Sequence, residues 1–80
     1  MVTTILRLPT VLRERGRSRS SHYFDIKQGL FTKQVQIGAR SVGWPSGDVT
    51  AINAARIAGR TDEEIRALVV KLEASRKTTT

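Results

Sequence analysis

Apolar positions in this 80-residue chain are grouped, and their spacing changes along it. Ile5, Leu6 and Leu8 enclose Arg7 at a period near two, which fits a short strand or an extended lead-in. Pro9 then suits the first turn of a helix, where its missing N–H is no loss. Val11 and Leu12 give that helix an inward stripe, and Gly16 ends it. Ser18 is a side-chain cap for a second helix. Tyr23, Ile26 and Leu30 follow at helical spacing, and Gly29 supplies the stop. Two short helices joined by a turn at Gly16-Arg17 outline a helix-turn-helix.

Beyond Thr32 the period changes. Val35 and Ile37 alternate with Gln34 and Gln36, turn formers occupy Gly38 to Ser41, and Val42-Gly43-Trp44 follows. This pattern predicts a β-hairpin closed by Pro45, with Trp44 as its core anchor. Ser46 and Asp48 are candidate caps for a third helix, with Val49, Ile52 and Ile57 on or near its inner face and Gly59 after its end. Thr61-Asp62-Glu63-Glu64 is a capping box, and Ile65, Leu68, Val69 and Leu72 form the inner stripe of a fourth helix. Asp62–Arg66 and Glu73–Lys77 are i, i+4 pairs, and fraying is expected from Lys77 onward. The reading is mainly α with a small β-hairpin, a winged helix-turn-helix followed by two further helices. The outline divides into residues 1–60, the expected winged helix-turn-helix, and residues 61–77, an amphipathic helix expected to complete the core or mediate self-association.

Charge turns this outline toward a partner. Fourteen lysines and arginines face seven carboxylates, a net +7. Eight of those cations but only two of the carboxylates precede Pro45. An excess gathered on the helix-turn-helix and hairpin favours nucleic acid. The absence of cysteine excludes disulfides, thiolate zinc sites and cysteine nucleophiles, and a single histidine excludes a His-based metal cluster. No catalytic group, metal or cofactor is expected, because no nucleophile–base pair and no phosphate-cradling glycine loop is visible. There is no membrane-length apolar run and no signal-peptide pattern, so a soluble cytoplasmic protein is expected.

The DNA-contact candidates are Arg17, Ser18, Arg19, Ser20, Ser21, Tyr23 and Lys27 on or just before the second helix, and Lys33, Arg40 and Ser41 on the hairpin. Hydroxyl, guanidinium and helix-end N–H groups are phosphate and base-edge donors. A hairpin arginine can rest on the backbone or enter a minor groove. Each candidate also has a plain structural role: Ser18 as a cap, Arg19 as a solvated first-turn charge, Tyr23 as a packed ring. His22 fits helix packing or the surface better than ligation. A protein-interaction module using the last helix is the alternative function. RNA binding is disfavoured because only Tyr23, Phe24, Phe31 and Trp44 are aromatic.

Taken together, Leu6-Arg7-Leu8-Pro9-Thr10-Val11-Leu12, Gly16, Ser18-Arg19-Ser20, Tyr23, Ile26-Lys27, Gly29-Leu30-Phe31, Lys33, Val35, Ile37-Gly38, Arg40-Ser41-Val42-Gly43-Trp44 and Val49 resemble the AlpA family. These are small phage and prophage regulators, similar to excisionases and to the DNA-binding part of MerR-type proteins. The resemblance spans about Ile5 to Ile57. It implies a winged helix-turn-helix with Ser18–Lys27 as recognition helix and Lys33–Trp44 as wing. It also implies double-stranded DNA as partner, a role in transcription or excision beside an integrase or other phage protein, and dimeric or cooperative assembly on DNA. Arg17, His22, Phe24, Asp25, Thr32 and Ile52 depart from the family pattern. Phe24 either packs or touches a thymine methyl, and Asp25 on the reading face would repel phosphate.

Overall fold

The computed structural model describes residues 4–76. A short strand β1 (Ile5–Arg7) leads directly into helix α1 (Leu8–Arg15). Pro9 occupies the first turn of α1, and Gly16 terminates it in the left-handed conformation, φ 66°. Helix α2 (Arg19–Lys27) follows after the two-residue turn and Ser18. Strands β2 (Val35–Gln36) and β3 (Val42–Pro45) form the hairpin, and helices α3 (Ser46–Ile57) and α4 (Asp62–Ser75) complete the chain. This mainly helical arrangement with a small antiparallel sheet is compatible with a winged helix-turn-helix.

Ile5–Arg7 forms strand β1 and Leu8 already belongs to α1, so the hairpin is part of a three-stranded antiparallel sheet ordered β1-β3-β2. Leu6 pairs with Trp44 and Arg7 with Gly43, while Val35 lies across from Gly43 on the other side. Gly43 makes this possible. A Cβ there would lie 2.6 Å from Ile5 Cγ2 and 2.8 Å from the Leu6 carbonyl oxygen. The adjoining Trp44 is fully buried, and its indole N–H donates to the Thr32 carbonyl at 2.9 Å. The Gly-Trp pair thus has two separable tasks: close strand approach and core filling.

Val11 of α1, Leu30 and Phe31 after α2, Trp44 of β3, Val49 and Ile52 of α3, and Ile65 and Val69 of α4 form the buried core. The buried face of α4 therefore packs intramolecularly. Its start is the predicted capping box, with Thr61 Oγ1 accepting from the Glu64 N–H and Glu64 accepting from the Thr61 N–H.

Three expectations fail. Neither Ser46 nor Asp48 caps α3: Pro45 occupies the cap position, and the Ser46 N–H donates to the Thr4 carbonyl. Asp48 instead lies buried against Arg76, 2.6 Å away. Ile57 is 88% exposed. It lies five residues past Ile52, a rotation of about 140° off the buried face at ~100° per residue, and half-buried Ala55 takes that face. The Asp62–Arg66 pair does not form; Asp62 binds Arg56, and Arg66 donates to the Gln28 carbonyl. Glu73 accepts from the Lys33 backbone N–H. Lys77 and the expected fraying lie outside the described residues.

Candidate nucleic-acid interface

Helix α2 has little apolar surface with which to dock. Ser18 Oγ accepts from the Ser21 N–H at 3.2 Å and donates to Ser21 Oγ at 3.0 Å, which fixes the helix start. Tyr23 and Ile26 are its only apolar residues packed against the core. The remaining inward positions are polar: His22 is fully buried and Asp25 is 3% exposed.

Those two residues are held by the end of α1 and the turn. Asp25 Oδ2 accepts from Arg15 at 2.9 Å and from Arg17 Nε at 3.1 Å, while Oδ1 accepts from Arg17 at 2.9 Å. The Arg15 side chain is only 4% exposed, and its guanidinium carbon stands 4.0 Å from the centre of the Phe31 ring. A second Arg15 nitrogen lies 2.8 Å from His22 Nδ1. Arginine has only donors, so Nδ1 accepts and the neutral ring carries its proton on Nε2. Burial, reinforced by the charge of Arg15, lowers the His22 pKa to about 4. Burial likewise pushes the Arg15 pKa down, against the opposing pull of Asp25. The imidazole also stands edge-on to Trp44, with centroids 4.7 Å apart. A polar lock thus joins the helix-turn-helix to the aromatic core.

The lock leaves the opposite face of α2 to solvent. Ser20, Phe24 and Lys27, at i, i+4 and i+7, form an exposed stripe, with Arg19 also exposed and Tyr23 half-buried beside it. The Tyr23 ring packs near His22 and Trp44, and its hydroxyl has no partner among the described residues. The Asp25 carboxylate, expected to oppose phosphate from this face, instead points inward between two arginines.

The ten sequence candidates therefore separate into groups. Arg19, Ser20, Tyr23 and Lys27 share the outer side of α2, with Ser18 and Ser21 engaged in its cap. Arg17 is turned into the Asp25 pair but keeps its side chain 42% exposed. Lys33 is exposed on the loop before β2, Arg40 is exposed at the hairpin tip, and Ser41 is half-buried there. Ile37 donates to the Ser41 carbonyl, and the Gln36 amide donates to the Gly38 and Ala39 carbonyls, so the tip is braced. Among the described residues, the side chains of Arg19, Lys27, Lys33 and Arg40 have no hydrogen-bonding or carboxylate partner.

The sequence reading missed Arg15, His22 and Asp25 as a unit. Arg15 ends α1 while His22 and Asp25 lie seven and ten residues on in α2, so the pairs span the turn and no single-helix periodicity reveals them. The available hint was compositional: an acid and a histidine stand where a helix this short needs inward-facing groups. No group of His, Cys, Asp and Glu suited to a metal ion occurs among the described residues. No described helix is long and apolar enough to cross a membrane.

Residues 4–54 match the family described as Prophage CP4-57 regulatory protein (AlpA). Over 55 residues the chain is 47% identical to "Uncharacterized protein ORF88" of Enterobacteria phage P4, covering 69% of this chain and 62% of that relative. The chain thus spans under two thirds of the relative's length. No solved structure gives a significant match. The matched segment contains β1, both helices of the helix-turn-helix, the hairpin and most of α3, and on that basis the chain belongs to the AlpA family of phage regulatory proteins.

Proposed function

We propose that this regulator binds double-stranded DNA, with α2 in the major groove and the β2–β3 hairpin against adjacent backbone or minor groove. One observation carries the reading: Asp25 is neutralised inside the lock while, among the described residues, Arg19 and Lys27 stay unpaired on the outer side of α2. A helix that turns its only acid inward and its free cations outward is suited to a polyanion. The N–H groups of Arg19 and Ser20 precede the first capped and intrahelical bonds, so the positive end of α2 is open to a phosphate. Lys33 and Arg40 supply the cations of the hairpin side. A module this small buries roughly 600–1,000 Å² on DNA, so several copies on repeated sites, aided by an integrase or another phage protein, would act in transcriptional control or excision.

Titration of duplex DNA at graded salt tests this. Four to six phosphate contacts correspond to a slope of log affinity against log salt of about −4 to −5. Arg19→Ala is expected to weaken binding by about 1–3 kcal/mol if it reads a base, and Arg40→Ala to weaken all sequences more evenly. Salt-independent association, or full affinity in both variants, refutes the assignment.

A further inference from the structure

Phe24 is 59% exposed, in the middle of the stripe between Ser20 and Lys27. Isolated exposed apolar residues are common on protein surfaces. This one is distinguished by its surroundings. Its neighbours one turn away on α2 are Ser20, Ser21, Lys27 and Gln28, none of them apolar. It is outside the core cluster and its near-packed residues, and it has no ring contact with the aromatics that surround His22. Folding therefore leaves more than half of this residue's surface in water. Position places it on the exposed side of α2, with Lys27 one turn on and Arg19 exposed at the helix start, both side chains without a partner among the described residues.

Resting on the DNA-binding reading above, we infer that Phe24 is a specificity residue that packs on the C5-methyl group of thymine in the major groove. Base edges there offer hydrogen-bonding groups except at thymine, whose methyl is the one apolar feature a phenyl ring can cover. The phosphates on either side fall to Arg19 and Lys27, and Ser20 remains for a polar base edge. The chain thus reads one position by apolar contact, with no donor or acceptor spent on it.

The test starts from a duplex enriched by the wild-type protein out of a random pool. Each thymine is replaced singly by uracil, which removes only the methyl, and affinity is measured for wild type and Phe24→Ala. For wild type, one or two replacements are expected to weaken binding about fourfold, equivalent to about 0.8 kcal/mol for one buried carbon. For Phe24→Ala the same replacements are expected to change nothing, while thermal melting matches wild type. The inference is overturned if no thymine methyl matters to wild type, a result that needs no variant. It is equally overturned if Phe24→Ala still responds to the same replacement. Failure to enrich any duplex is a separate outcome, which removes the DNA-binding reading itself along with this one.

Discussion

Removing the Asp25 carboxylate puts the polar lock to its hardest test. Asp25→Ala deletes the acceptor of three hydrogen bonds from two arginines. The consequences for those arginines differ. Arg17 is 42% exposed and regains water, so its lost pair is worth about 0.5–1 kcal/mol. Arg15 is 4% exposed and cannot, so a positive charge remains buried against Phe31 and a neutral histidine. Breaking such a pair from one side costs about 3–5 kcal/mol. An 80-residue domain has a total stability of roughly 4–12 kcal/mol. Asp25→Ala is therefore expected to lower the melting temperature by about 15 °C or more. Arg17→Ala, with Arg15 still paired, is expected to lower it by about 8 °C at most. Replacing the buried partners together, as Arg15→Met with Asp25→Leu, is expected to recover much of the loss, because no unpaired charge is left inside. Calorimetric or circular-dichroism melts decide. The argument fails if Asp25→Ala and Arg17→Ala cost the same, or if the double variant is no better than Asp25→Ala.

His22 provides a pH test. Its pKa falls from about 6.5 unfolded to about 4 folded, so between those values the unfolded chain binds the extra proton. Its contribution to stability is therefore complete above about pH 6.5 and is lost as pH falls toward 4, amounting to about 3 kcal/mol in all. His22→Phe is expected to show a shallower decline over that window in denaturant titrations; an identical slope would show that His22 is not held neutral. Gly43→Ala is expected to cost about 1–3 kcal/mol, since its methyl would overlap Ile5 and the Leu6 carbonyl. Gly47→Ala, with nothing within 4 Å, is expected to be neutral or to stabilise by about 0.5–1 kcal/mol, and equal melts for the two glycine variants would contradict the crowding at β1. Trp44→Ala is expected to cost about 3–5 kcal/mol, visible as a collapse of cooperative melting.

Elements with a local cause were legible in the sequence. Ser18, Gly16, Gly29 and the Thr61–Glu64 box act on residues within one turn, and each sits where its chemistry requires. Trp44 and the Ile65–Val69 stripe were legible because a large ring and a 3.6-residue period have few alternatives to burial. Long-range partners were not. Asp48 reads as a helix cap until Arg76, 28 residues later, reaches it. Asp62 and Arg66 have the right spacing for a pair, yet Asp62 is taken by Arg56 across the α3–α4 turn and Arg66 by the Gln28 carbonyl 38 residues away. In the candidate interface the residue types were legible and their facing was not. Arg17 and Arg19 look alike in sequence, but the structure ties Arg17 to Asp25 and leaves Arg19 unpaired among the described residues.

That difference follows from how α2 is anchored. An ordinary surface helix docks through an apolar stripe wide enough to fix its rotation. Here Tyr23 and Ile26 are too few to do so, and the rotation is set by bonds with direction: two arginines on one carboxylate and one arginine nitrogen on an imidazole. Each of these bonds weakens steeply if the helix turns about its axis. The segment before α2 consequently supplies the charges that neutralise its inner face, and the net positive charge of the outer face survives folding. In the C-terminal half, by contrast, Arg56, Arg60 and Arg76 are consumed by Asp62, Glu64 and Asp48. The basic excess of the chain is thus concentrated further by folding than by sequence, and it is concentrated on the elements that residues 4–54 share with the phage regulators.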